Sequence, residues 1–133
     1  MALKVNVSVG EFLDKMTILE IKSERMKNED KLRNVNRELG LLRDIWAASP
    51  LSGTDTGDLV PRLKAVNERL WDIEDDIRRQ EAAGTFGDEF IRLARSVYEQ
   101  NDERARLKYE LNQLLGSDLV EEKEYPGYKN PAS

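Results

Sequence analysis

Carboxylates offer the most obvious chemistry in this chain. Asp72, Glu74, Asp75 and Asp76 crowd one short stretch, and Asp72, Asp75 and Asp76 share a helix face at three- and four-residue spacing. Glu11 and Asp14, three residues apart, form a second acidic pair. Paired carboxylates at helical spacing are what a divalent cation needs. The competing reading is a solvated helix face balanced by Arg78 and Arg79. A second constellation is basic. Arg104 and Lys108 lie four residues apart with Asn101 just ahead, on a face whose two ends are apolar. A buried guanidinium must find carboxylates or open onto water, and Glu74 and Asp14 are the expected partners. This arrangement is either an ion-pair network that fixes helix register or a polar cavity for a small anion.

Much else is excluded by composition. The chain has no histidine and no cysteine, which removes the commonest general base, thiolate nucleophiles, disulfides and most transition-metal sites. Its eight glycines are scattered, and Gly53 and Gly57 lack the following Lys-Ser or Lys-Thr of a phosphate loop. A net charge of -5 argues against nucleic acid as partner. Trp46 and Trp71 are expected to be packing residues, since stacking on bases would need basic neighbours and Trp71 has acidic ones. No apolar run approaches the roughly 20 residues of a membrane span, and no secretory signal is visible, so a cytoplasmic location is expected.

The elements that must position these residues are helical. Residues 133 in number make one domain's worth of chain, and the charge-rich composition is that of exposed helices. Residues 3–7 alternate apolar and polar like a half-buried strand, which needs a pairing partner. The extended stretch 118–125 or a second copy of 3–7 would supply it. Ser8 stands three residues before Glu11, the capping-box spacing, so a first helix is expected over about 9–27. A second follows over about 30–48, unless one long bent helix spans 9–48. After the loop 49–57, Asp58 is expected to cap a third helix over 59–83. In it Leu59, Leu63, Val66, Leu70, Ile73 and Ile77 form a heptad seam, closed by Gly84. Thr85 and Asp88 have the spacing of a weaker capping box for a fourth helix over about 86–115, leaving 117–133 as a tail. The third and fourth helices, joined by a short turn, form an antiparallel hairpin.

The first helix is apolar on two sides. At 100° per residue Phe12, Met16, Leu19 and Met26 share one side with Leu13 at its edge, while Ile18 and Ile21 lie nearly opposite, flanked by Asp14 and Arg25. A helix on a bundle's surface needs one apolar stripe. Two stripes mean cover on both sides, either from the helix's own bundle or from a second chain that meets Ile18 and Ile21, with Asp14 and Arg25 as paired charges at the rim.

The stretches VSVGEFLDKMTILEIKSER, VNERLWDIEDDIR, FIRLARSVYEQNDERARLKYELN and GSDLVEEKEYPGY together resemble a family of small bacterial helical proteins known only as a domain of unknown function. The resemblance spans about residues 5–128 and leaves the loop 49–57 unmatched. It implies a small protein that stands alone or lies beside or fused to glycan-synthesis enzymes. It carries over no catalytic residue, substrate or cofactor. It does place the polar residues Asp14, Lys15, Asn101, Asp102, Glu121 and Tyr125 inside motif-like stretches. The acidic pairs separately resemble, at isolated spacings only, the magnesium-holding Glu-x-x-Glu and Glu-x-x-Asp motifs of all-helical nucleotide pyrophosphatases. A chorismate-mutase-like use of Arg25, Arg95, Arg104 and Lys108 does not match that family's spacing.

The sequence therefore leads to an all-α four-helix bundle with a short N-terminal strand and an extended tail. The function it favours is a non-enzymatic, self-associating interaction or scaffold module, a homodimer first and an unidentified protein partner second. No metal, cofactor, nucleic acid or membrane is expected. The expected polar site comprises Asp14, Arg25, Glu74, Asn101, Arg104 and Lys108, and the expected interface Ile18 and Ile21. The alternative is a small helical enzyme or binder for an anionic ligand, a nucleotide or sugar phosphate, with or without magnesium.

Overall fold

Ser8 opens the first helix as its spacing to Glu11 implies: its hydroxyl accepts from the Glu11 amide at 3.1 Å. In the computed structural model, which describes residues 1–128, helix α1 runs Val9–Arg25, α2 Glu29–Ala48, α3 Leu59–Ala83 and α4 Asp88–Leu114. A single 3-10 turn, Pro50–Gly53, follows α2. The break between α1 and α2 is real, and Asn28 makes it by accepting from the Lys31 amide at 3.0 Å.

Two caps differ from expectation. Asp58 precedes α3 but its carboxylate caps nothing; it stands 3.8 Å from Arg62 one turn on. Thr85 does not open α4. Its hydroxyl turns back to the Gln80 side chain at 2.6 Å, closing α3 beside Gly84, whose φ of 66° is the left-handed conformation a C-cap needs.

The expected strand over residues 3–7 does not form, and no described residue is in a strand. Leu3, Val5 and Val7 are exposed, and among the described residues no strand runs alongside to accept their ladder. The two ends of the chain do meet, but through a cap. The first amide of α1, Val9, donates to Ser117 Oγ at 3.1 Å just beyond α4.

Helices α3 and α4 form the antiparallel hairpin, and α1 lies in the groove along the half of it farther from the turn. Leu13 packs there with Leu63, Val66, Leu107, Leu111 and Leu115. Among its neighbours, helix α2 packs on α1 and the 3-10 turn, where Leu19 meets Val35 and Leu39. The two-sided helix is thus the central one. Ile21, expected to meet a second chain, is 1 % exposed within its own fold and unavailable to a partner; Ile18 is half-buried. The stripes also sort by height as well as by side: Phe12 and Met16 go with the hairpin core, Leu19 and Met26 with α2.

Candidate functional site

The polar centre lies where α1 crosses α3 and α4. Asp14 is 1 % exposed, and both of its carboxylate oxygens are occupied by donors. Arg104 donates to it through two nitrogens, Nε at 3.0 Å and Nη2 at 2.5 Å, the fork geometry that suits a carboxylate. Asn67 on α3 adds a third donor at 2.8 Å to Asp14, and its amide also donates to Thr17 Oγ1 at 3.0 Å. The Thr17 hydroxyl in turn donates to the Asp14 carbonyl at 2.7 Å. Three helices are tied by one carboxylate.

One turn along α4, the ammonium of Lys108 sits between Glu11 at 2.6 Å and Glu121 at 2.7 Å. Lys108 is 5 % exposed. Burial lowers its affinity for a proton, but the two carboxylates outweigh that and hold its pKa above the usual lysine value. Its hydrogen bond in turn holds Glu121 below the ordinary carboxylate range. The hydrogen bond to Asp14 likewise raises Arg104 further. Beneath Lys108, α1 and α4 touch backbone to backbone. The Gly10 amide donates to Asn112 Oδ1 at 2.6 Å, and a methyl on Gly10 would overlap the Lys108 carbonyl oxygen.

Of the residues expected at the site, Asp14, Arg104 and Lys108 come together. Asn101 is half-buried one turn away, and none of the network's hydrogen bonds reaches it. Glu74 is not a partner of Arg104. It lies on the same face as Asn67 but two turns nearer the hairpin turn, about 10 Å away at 1.5 Å per residue, and stands 3.6 Å from Arg78 instead. Arg25 does not share a rim with Asp14. It closes the far end of α1 on Asp72 at 2.7 Å and lies 5.9 Å above the Trp71 ring. Trp46 stacks on Phe12 at 6.1 Å between centroids.

Sequence reasoning passed over Asn67, Asn112, Thr17 and Gly10. A glycine in a helix's first turn costs stability without a reason, and that was the one signal available for Gly10. The asparagines sit beside seam positions and carry no distinguishing spacing.

The chemistry open to this centre is narrow. No buried side-chain nitrogen or oxygen among the described residues lacks a partner. The cleft beside Lys108, about 200 Å³, is walled by Glu121, Glu122 and Lys123 as well as by Tyr109 and Asn112, so its two cations are already matched by two carboxylates. The acidic run on α3 is exposed, with Asp72 and Asp76 turned to Arg25 and Arg79. Among the described residues no group of three or more carboxylates converges as a metal site would require. No helix among them is long and apolar enough to cross a membrane.

A family model described as a family of unknown function, DUF6165, matches residues 3–133. The chain belongs to that family. No curated protein and no solved structure matches it. In this DUF6165 member the motif-like residues Asp14 and Glu121 belong to two neighbouring ion pairs on α4, Asp14 with Arg104 and Glu121 with Lys108.

Proposed function

We propose that the chain is a non-enzymatic interaction or scaffold module that associates with a second copy of itself, and that its polar inter-helix site serves to set the register of the helices. One observation carries the reading. The apolar face of α4 that α1 covers at Leu107 and Leu111, both fully buried, continues toward the hairpin turn as Phe90, Ala94 and Val97, which α1 does not reach and which stay partly exposed. A helix hairpin with one end seated in a core and the other open is the form of a module that completes itself by association.

Sedimentation or light scattering of the full chain across the micromolar range tests this. A mass of two chains that falls on dilution is the expected result, and a single-chain mass at every concentration overturns the proposal. The ligand-binding alternative has less support, because an anion at Arg104 or Lys108 would have to displace Asp14, Glu11 or Glu121. It would regain ground if a nucleotide or sugar phosphate, with or without magnesium, raised the melting temperature.

A further inference from the structure

Helix α1 ends at Arg25, level with Trp71 and Asp72 of α3. Residues 73–83 of α3 and their partners on α4 extend about 16 Å farther at 1.5 Å per residue. In this outer half Leu93 is the one described apolar residue of α4 that α3 buries, at 3 % exposure. Its helix neighbours Phe90, Ala94 and Val97 remain half-covered, and Ile91 and Tyr98 beside them are 52 % and 61 % exposed. On the helical wheel these five residues form one strip about 120° wide, with Ala94 near its middle. The adjoining face of α3 is different in kind, carrying Glu74, Arg78 and Glu81. An occupant must therefore be apolar toward α4 and polar toward α3.

Resting on the self-association reading, we propose that this strip is an isologous interface in which α4 packs antiparallel on α4 of a second copy, with the two-fold axis at Ala94. The strip itself selects that occupant. Around an axis at Ala94 an antiparallel partner places its Tyr98 opposite Phe90 and its Val97 opposite Ile91, and by symmetry the reverse. Every large apolar residue of the strip then meets another, an aromatic against an aromatic and an aliphatic against an aliphatic. The small side chain at the axis lets the helices approach within packing distance. Phe86, 53 % exposed at the hairpin turn, packs edge-to-face with Phe90 and lies beyond the end of this pairing. Two hairpins joined in this way form a four-helix layer, and the apolar strips close without a further partner. At the edge of the strip Tyr128 of the same chain lies against Tyr98 at 6.1 Å, so the described part of the tail borders the contact.

The absence of cysteine makes the test clean. In the full chain, Ala94→Cys is expected to form an intermolecular disulfide in most molecules under mild oxidation, because each thiol has its own copy across the axis. Asp76→Cys, exposed on another face of the hairpin, is expected to stay uncrosslinked. Ile91→Glu is expected to halve the mass in solution while leaving the circular dichroism and melting of the monomer unchanged, since Ile91 is already half in water. A dimer in which Ala94→Cys fails to crosslink and Ile91→Glu keeps the mass overturns this interface but leaves self-association standing, with the exposed Leu41 and Ile45 of α2 as the other surface. A chain that is monomeric throughout overturns both.

Discussion

Asp14 and Arg104 form one ion pair, yet the two residues are not equivalent. Asp14 is enclosed, whereas 27 % of the Arg104 side chain reaches the surface. Removing the arginine leaves a carboxylate with one amide donor and no hydrogen-bonded cation, and breaking a buried pair in this way costs about 3–5 kcal/mol. Removing the carboxylate leaves a guanidinium that water can reach. Arg104→Met is therefore expected to lower the urea midpoint well below that of Asp14→Asn, and an equal or reversed order would contradict the asymmetric burial. Gly10 supplies a second expectation. Gly10→Ala would normally favour a helix, but here the methyl must push α1 off the Lys108 carbonyl, so a loss of about 1–3 kcal/mol is expected. The same substitution at Gly40, with open space around it, should instead be neutral or stabilising.

Among the elements, the described part of the tail is held by the Ser117 hydroxyl at its root, Glu121 on Lys108, and Tyr128 beside Tyr98. Its main ionic tie titrates with a sign that can be worked out. The folded pKa of Glu121 lies below its ordinary 4.5, so its contribution is complete above that pH and is lost as pH falls through the lowered value. Lys108 is raised above 10.5, so its contribution is complete below that pH and is lost as pH rises through the raised value. Stability measured against pH for the parent and for Glu121→Gln should differ at neutral pH, begin to approach below about pH 4.5 and converge once pH has fallen through the lowered value. Parallel curves down to the acid limit would mean that the tail contributes nothing through this pair. How much of this was legible follows from distance along the chain. Ser8, Gly84 and the heptad seam act within a turn or two, and their spacing declares them. The partner of Arg104 depends on how far α1 slides along the hairpin, and Asp14 and Glu74 have equal claim until that height is known. Residues 3–7 misled for a related reason: alternation describes a side-chain pattern but cannot supply the neighbouring strand.

At the scale of the molecule, burial is uneven along a single hairpin. Leu63 and Val66 of the α3 seam are at most 1 % exposed, while Ile73 and Ile77 of the same seam are only partly covered. Local opening follows covered apolar contacts, so the outer half should open at lower free energy than the half under α1. Amide hydrogen exchange of the dilute chain is expected to be faster for residues 73–83 and 88–99 than for 59–70 and 101–114. Association at the outer half couples that gradient to concentration, because a partner that binds the closed hairpin stabilises it by mass action. Protection of residues 88–99 should then rise with protein concentration, while that of 101–114, already covered by α1, stays nearly constant. Ile91→Glu should abolish the concentration dependence and leave the gradient, since the gradient belongs to the single chain and the dependence to the pair. Outer amides as slow as inner ones in the dilute chain would show that α3 and α4 suffice for each other, and the open strip on α4 would then lose its energetic motive for a partner.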